Sequence, residues 1–227
     1  MRKYSKARWF VAMPLAIMST SALLAAKRPA TLTGCNAVAQ WVTQHEQELP
    51  RTYGEIIRYP ANYRKAIQAK LPWTVRREMW LTQFKLYSES ELLAPNQRTF
   101  VRAAMVPFSE MLDVATPQAR REHIGDSLNV VASTVLGRDL HHAIFFVLGP
   151  DDPKTVQSVR TASFFLAALR RPARVPLVDD SNCNCHQLVN GPECSGSGCK
   201  DATCTISQGC GTGGVYSCNG RCNDADQ

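Results

Sequence analysis

Apolar residues between positions 36 and 169 recur at every third or fourth position, which is the spacing of amphipathic helices. Tyr63, Ile67 and Leu71, for example, fall on one predicted helix face. Proline precedes or opens several of these stretches, as it does in the first turn of many helices. Three helices are predicted over residues 36–49, 61–71 and 74–87, and a short one capped by Thr52 and Glu55 lies between the first two. A further helix starts at Pro95, with a kink expected at Pro107, and a last one starts at Asp152-Pro153. Between these two, a helix closed by Gly137 has a stripe of Ile124, Leu128, Val131 and Val135.

The run Ala143–Leu148 is apolar at every position, so its period does not distinguish a buried strand from a buried helix. Its neighbours are helical and no partner strand is evident, and we interpret it as a buried helix segment. About 130 helical residues are enough to bury a core. The sequence therefore predicts one small all-α domain over residues 35–172, called the body below.

The pattern changes after residue 182. Residues 183–227, called the tail below, hold eight of the nine cysteines but only five large apolar residues, Leu188, Val189, Ile206, Val215 and Tyr216. A segment with so little to bury must be stabilised by cross-links, and an even number of cysteines is typical of a disulfide framework. We therefore expect a small disulfide-rich, loop-rich, β-poor module. The predicted disulfide cysteines are Cys183, Cys185, Cys194, Cys199, Cys204, Cys210, Cys218 and Cys222, and their pairing stays open among on the order of 100 possibilities.

Closely spaced cysteines also occur in metal–thiolate proteins. In the tail, only His186 could supplement the thiols, and the C-x2-C pairs typical of zinc sites are absent. The sequence therefore favours disulfides and predicts no bound metal.

Residues 1–34 have the pattern of an export segment. Four basic residues precede an uncharged stretch from Trp9 to Ala26 that ends in small residues, as in a secretory signal peptide. An uncleaved N-terminal membrane anchor is the alternative, because this stretch has 18 residues and marginal spanning length.

Leu32-Thr33-Gly34-Cys35 matches a bacterial lipobox, in which Cys35 would be lipidated and become the first residue of the mature chain. Removing Cys35 from the thiol pool leaves eight cysteines that can all pair. Lys27, Arg28 and Pro29 separate this motif from the apolar stretch, however, so a partly buried thiol at the start of a helix is the alternative interpretation.

The net charge of +7 does not indicate a nucleic-acid-binding protein, because most of it lies in the export segment. Residues 1–34 carry six basic and no acidic residues (+6), residues 35–180 carry 18 basic and 15 acidic residues (+3), and residues 181–227 carry two basic and four acidic residues (−2). Once the export segment is removed the chain is nearly neutral, and we expect no nucleic-acid partner.

Residues 173–182 form the predicted linker between body and tail. This stretch contains Pro176, follows Pro172, and precedes a change in composition, since eight of the 13 glycines lie after residue 181. Domain boundaries fall in such stretches, and proteases cut there. We predict a cleavage position at Asp180-Ser181.

No catalytic or cofactor-binding motif is evident: the metalloprotease H-E-x-x-H, the phosphate loop, the G-x-S-x-G elbow and the dinucleotide glycine pattern are all absent from the sequence. His141 and His142, near Asp139, point about 100° apart on a helix and do not chelate together, so we interpret them as a surface or boundary pair. The aromatic stripe Trp73, Trp80, Phe84 and Tyr87 is interpreted as core. The sequence therefore predicts no enzyme, no catalytic residue and no cofactor.

Two regions of the chain resemble the bacteriocin fulvocin C-related family. In the tail, Asn182–Cys185 is similar to the family's N-C-x-C, and Cys210–Tyr216 followed by Cys218-Asn219-Gly220 is similar to its C-G-T-G-x-V-Y and C-N-G. The similar residues of the body are Trp41, Leu49-Pro50, Thr52-Tyr53, Tyr59-Pro60, Tyr63–Ile67 and Trp80. Gly214 stands where the family's peptide has tryptophan, and Ser217 where it has cysteine, while Cys222 restores the even number.

The resemblance implies an exported bacterial antimicrobial peptide precursor whose tail is the active part. The tail would bind a target on the bacterial cell envelope or membrane, without catalysis, and the precursor would meet export and processing machinery on its way to being secreted. The alternative is a surface lipoprotein anchored at Cys35, at the cell surface or in the periplasm. Its uncleaved tail would serve as a disulfide-rich binding or structural module.

Overall fold

The computed structural model describes residues 37–150, 173–175 and 199–222, and for most strand residues of the tail it describes the backbone alone. Several predictions concern positions outside the described residues. These are the export segment 1–34, the lipidation candidate Cys35, the helix expected from Asp152, most of the linker 173–182, the cleavage position Asp180-Ser181, and the cysteines Cys183, Cys185 and Cys194.

The described part of the body is helical, which confirms the predicted all-α domain. Its helices follow one another with short connections, and a single 3-10 turn, Glu46–Glu48, follows the first of them. The seven helices described are α1 (Ala37–Gln44), α2 (Tyr53–Ile56), α3 (Ala61–Lys70), α4 (Trp73–Glu89), α5 (Pro95–Met111), α6 (Gln118–Leu136) and α7 (Arg138–Phe145).

The helices begin where the sequence signals predict. Pro95 is the first residue of α5, and three prolines, Pro60, Pro72 and Pro117, directly precede α3, α4 and α6. At α2, the Glu55 carboxylate accepts hydrogen bonds from the backbone N–H groups of Arg51 (3.1 Å) and Thr52 (3.2 Å). These N–H groups lower the pKa of Glu55, because they stabilise its charged form.

The predicted apolar faces meet in one core. Tyr63, Ile67 and Leu71 are buried, as are Trp80, Phe84 and Tyr87 of the predicted aromatic stripe, whereas Trp73 is half-buried. At the centre, the ring of Phe84 lies 4.4 Å from that of Phe108 and 4.9 Å from that of Phe145 between centroids. Such tilted and edge-on pairs contribute beyond their buried area.

The predicted stripe on α6 is wrong at one position. Ile124 and Leu128 are buried as expected, but Val131 is 47% exposed and Val135 is half-buried. Ala132 and Leu136 face the core instead. After Leu128, the buried face of a helix can continue either three residues on, at Val131, or four residues on, at Ala132. Here it continues at Ala132, whose small side chain allows the neighbouring helix to pack closely.

The apolar run Ala143–Leu148 is buried throughout, and its first half is helical, as predicted. The helix ends at Phe145, and Phe146–Leu148 turn away from it. The buried amide of Gln83 in α4 closes this end. Its Nε2 donates to the carbonyl oxygens of Ile144 (3.0 Å) and Val147 (2.9 Å), and its Oε1 accepts from the Tyr53 hydroxyl (3.1 Å) and the Gly149 N–H (2.5 Å).

The tail contains more β-structure than the sequence predicts, so the expectation of a β-poor module is wrong for its described part. Strands β1 (Cys199–Cys210) and β2 (Tyr216–Cys222) pair as an antiparallel hairpin with two register irregularities. The β-branched residues Thr203, Thr205 and Ile206 favour a strand, and the G-T-G-G sequence supplies a tight connection.

The hairpin lies against the body. Strand β1 runs beside α3, the connection between the strands contacts α3 and α6, and the described parts of body and tail belong to one compact unit. The predicted body and tail therefore share an interface.

Candidate functional site

The tail turn, defined here as Gly211–Tyr216, comprises the connection between the strands and the first residue of β2. At three of its positions the backbone has a conformation that only glycine adopts readily. Gly211, Gly213 and Gly214 have φ angles of 69°, 65° and 65°, in the left-handed region that other residues rarely enter. The Gly214 N–H donates to the Gly211 carbonyl at 3.0 Å and closes the turn. The G-T-G-G sequence thus builds a turn with almost no side-chain volume.

The tail turn is buried in the body. Thr212 is 0% exposed and Val215 is 3% exposed, and Val215 belongs to the same apolar core as the helices. We call the side chains around the turn the turn seat. Those in direct contact are Arg76 of α4, Phe108 and Met111 of α5, and Gly125 and Asn129 of α6. His141 of α7 belongs to the seat through its hydrogen bond to Asn129.

A chain of hydrogen bonds joins the tail turn to two helices. The buried Thr212 hydroxyl donates to Oδ1 of Asn129 at 2.8 Å, and Nε2 of His141 lies 3.1 Å from the same oxygen. Because a carbonyl oxygen only accepts, the imidazole carries its proton on Nε2. Burial, with a smaller contribution from His142, lowers the pKa of His141 to about 4, so the ring is neutral at pH 7.

A buried arginine holds the other side of the turn. Nη2 of Arg76 donates to the Gly214 carbonyl at 3.0 Å, and the guanidinium carbons of Arg76 and Arg121 lie 3.9 and 4.3 Å from the centre of the Trp73 ring. Burial, with a smaller effect of Arg121, lowers the pKa of Arg76 to about 10, which still leaves it charged at pH 7. A charged donor to a carbonyl is among the stronger buried hydrogen bonds.

The turn packs so closely against the seat that there is no room for one added methyl group at Gly213. A Cβ atom on Gly213 would lie 2.8 Å from Cε of Met111 and 2.9 Å from the Phe108 ring. A Cβ atom on Gly125 would lie 3.1 Å from the hydroxyl of Tyr216, whose pKa is raised by burial and by the nearby Asp126 and Glu122 carboxylates. Glycine is therefore needed at position 213, whereas a Cβ atom at position 125 would require the Tyr216 hydroxyl to move by a few tenths of an ångström.

Gly214 has a structural role that the resemblance described above does not predict. The resemblance places a tryptophan of the family's peptide at this position, but here the backbone has φ 65°, the residue is buried and its carbonyl accepts from Arg76. A bulky residue would be strained in this conformation. A glycine at position 214 therefore fits the geometry of this turn.

The described cysteines lie on the hairpin. Cys210 is buried and disulfide-bonded. Cys199 and Cys222 are register partners, and Cys218 is the register partner of Ile206. Cys204 lies within β1. The pairing of the other predicted disulfide cysteines stays a prediction.

The two adjacent histidines do not form the surface or boundary pair that the sequence predicts. His141 is 1% exposed, whereas His142 is half-buried and stacks on Phe146. His141 lies inward because its ring hydrogen-bonds to Asn129 and packs edge-on against Phe145 and Phe146. Among the described residues, no three His, Cys, Asp or Glu side chains are grouped so as to hold a metal ion.

The sequence reasoning missed Arg76 and Asn129, although a signal for both was present. Arg76 is four residues before Trp80 on the buried face of α4, and Asn129 follows Leu128 on α6. A polar residue on an otherwise apolar helix face indicates a buried hydrogen-bond partner. The partner itself, a turn some 80 to 140 residues further along the chain, is not readable from that pattern.

The three described linker residues also contact the body. The Ala173 N–H donates to the Arg58 carbonyl at 2.9 Å, and Val175 packs against the core. Ala173 and Arg174 line a surface groove together with Arg51, Glu55 and Tyr59. The linker therefore starts from a fixed point on the body.

No family model matches the chain, and neither a curated protein nor a solved structure is significantly similar to it. Within the described ranges, none of the helices has the length and apolar character needed to cross a bilayer.

Proposed function

We propose that the chain is an exported bacterial bacteriocin precursor whose disulfide-stapled tail is the active part and acts by binding. The observation that supports this proposal best is the position of Cys210–Tyr216. These residues carry most of the tail's resemblance to the fulvocin C-related family, and they form a defined turn seated in the helical body. A precursor whose carrier domain holds its peptide has this arrangement.

The composition of the tail supports activity by binding once it is released. Val215 and Tyr216 are two of its five large apolar residues, and both lie at the seat. Removal from the body would expose them together on a turn of fixed shape. Exposed apolar groups on a small cross-linked scaffold are typical of binding surfaces.

Growth inhibition by the isolated tail tests this proposal. A peptide of residues 181–227, oxidised to its native pairing, is expected to inhibit related bacteria, and the same peptide after reduction and alkylation is not. Without cross-links, a loop-rich peptide spends its binding energy on ordering itself. Inhibition that survives alkylation would contradict a folded binding module.

The charge of the tail gives a second measurement on the same peptide. Residues 181–227 carry a net charge of −2, so attraction to anionic lipids does not drive binding. We expect inhibition to change little as salt rises through the physiological range. A steep loss of activity with salt would point to a charge-driven membrane mechanism instead.

One observation favours the second candidate, a surface lipoprotein anchored at Cys35 with an uncleaved tail. Thr212 and Val215 lie inside the core of the body, so the tail also completes the fold. Intact mass spectrometry of the exported product, with and without reduction, separates the two functions. The precursor predicts a tail fragment in the medium, whereas the lipoprotein predicts a lipidated full-length chain in the membrane fraction.

A further inference from the structure

The turn seat and the tail turn are joined only by non-covalent contacts between distant parts of the chain. Every seat residue lies between Arg76 and His141, and the turn begins at Gly211. None of these contacts involves residues 176–198, where the proposed cleavage at Asp180-Ser181 falls. Cutting the chain there would leave each of them in place.

The seat has the properties of a specific peptide-binding site. Its walls are apolar at Phe108 and Met111, and two buried polar groups, Asn129 and Arg76, are aimed at the turn. Its depth fits a glycine at position 213 and no larger residue. Concave apolar sites with a few placed polar groups are where ligands bind.

We infer that the body is a receptor for the tail turn, which holds the tail after the chain has been cut and thereby masks the residues that would meet a target. Retention of the tail follows from the contacts alone. Masking of activity rests on the proposed function, because it presumes that the released tail inhibits bacteria. The bound ligand is in either case a segment of this same chain.

Cutting the intact protein tests retention. A protease recognition sequence is inserted between Asp180 and Ser181 of the full chain, which also carries Cys35→Ser. Residues 36–172 contain no cysteine, so no disulfide can then join body to tail. After cutting, we expect both fragments to elute as one species in native buffer at micromolar concentration, and to separate in denaturant. Separation in native buffer would overturn the inference.

Two substitutions, one on each side of the contact, test whether the seat is what holds the tail. Thr212→Val keeps the shape of the side chain but removes the hydroxyl donor, and Asn129→Ala removes its acceptor. Each leaves a buried polar group without its partner, so the dissociation constant of the cut complex should rise roughly tenfold or more. Because both remove the same hydrogen bond, the double variant should weaken binding by less than the product of the single effects.

Val130→Ala is the matched control. Val130 is the next residue of α6 and is 69% exposed, so its truncation should leave the dissociation constant unchanged within about twofold. Circular dichroism of the uncut variants checks that the body still folds. If Thr212→Val and Asn129→Ala bind as tightly as Val130→Ala, the seat does not hold the tail and the inference fails.

Growth inhibition by the cut complex separates this inference from the proposed function. If both hold, the isolated oxidised tail inhibits at a concentration at least tenfold below that of the cut complex. If the fragments stay together but the isolated tail inhibits nothing, the inference that the body binds the tail is supported and the bacteriocin proposal fails. If complex and isolated tail inhibit equally, masking is overturned.

Discussion

The core of the body and the seat of the tail turn are two buried regions built in opposite ways. In the body core, large side chains meet, as in the ring cluster of Phe84, Phe108 and Phe145. At the seat, the missing side chain of Gly213 lets the backbone of the turn approach α5, and that of Gly125 leaves room for the Tyr216 hydroxyl. Periodic apolar residues specify the first region, and glycine positions with a few polar partners specify the second.

Each region is closed by one buried amide. Gln83 in the body donates to carbonyl groups at the end of α7 and accepts from Tyr53 and Gly149. Asn129 at the seat accepts from Thr212 and His141. The difference is that Gln83 joins parts of the body, whereas Asn129 joins the body to the tail. Substitutions at the two sites should therefore have different consequences.

Among the substitutions predicted here, removal of the Gln83 amide from the body core should lower the free energy of unfolding most. Gln83→Leu leaves several buried carbonyl groups and one hydroxyl without their partner, and we expect the free energy of unfolding to fall by about 4 kcal/mol. Urea denaturation followed by circular dichroism measures it. Gln118→Leu, at an exposed position of α6, is the control and should change stability by less than about 0.5 kcal/mol. Equal effects at both positions would mean that Gln83 does not close the core.

Adding a single methyl group at Gly213 should destabilise the packing of the turn against the seat. Gly213→Ala places a side chain at φ 65° and against Phe108 and Met111. Strain and overpacking together should cost about 3.5 kcal/mol. Backbone strain alone at a left-handed position costs about 1–2 kcal/mol. If thermal denaturation gives a loss within that range for Gly213→Ala, strain alone explains the effect and the close fit of the seat is refuted.

The register of the hairpin predicts one disulfide. Cys199 and Cys222 are directly paired residues of antiparallel strands, whose Cα separation lies within the range that a disulfide spans. We expect this bond, and Cys222→Ser should destabilise the tail by about 3 kcal/mol. Trypsin cuts after Lys200 and Arg221, which separates Cys199 from Cys204 and Cys222 from Cys218. Tandem mass spectrometry of the unreduced digest would contradict the pairing if Cys222 were joined to another cysteine.

Acidification should lower the folding stability through His141, and this is the smallest of the expected effects. The pKa of His141 is about 4 in the folded protein and about 6.5 in an unfolded chain, so the unfolded chain binds more protons between these values. Stability should therefore fall as pH drops below 6.5, by about 1 kcal/mol between pH 6.5 and 5.5. His141→Gln should remove this contribution to the slope, measured by denaturation at several pH values. Val130→Ala, at an exposed position of α6, is the control and should leave the slope unchanged.

The body was predictable from sequence because its helices are specified locally. Proline before α3, α4 and α6, the capping residue Glu55 and the stripe through Ile67 all act within one or two helical turns. Where the stripe on α6 offered two continuations, the sequence prediction chose Val131 and the structure buries Ala132. That choice depends on the neighbouring helix, which the local pattern does not contain.

The seat was not predictable in the same way, since its two halves are far apart in the chain. The glycines of the tail indicated a turn, but nothing in G-T-G-G specifies that Thr212 finds Asn129 or that Gly214 finds Arg76. The sequence predicts loops in place of the hairpin because large apolar residues are few there. Backbone pairing and β-branched residues instead favour strands there.

The contact between Ala173 and Arg58 fixes one end of the 23 residues, 176–198, that connect the body to the hairpin. While this connection is intact, body and tail are one molecule, so occupancy of the seat does not depend on the amount of protein present. A cut at Asp180-Ser181 would make occupancy depend on the concentration of the two fragments. If the chain is processed as proposed, dilution by itself would then release the tail.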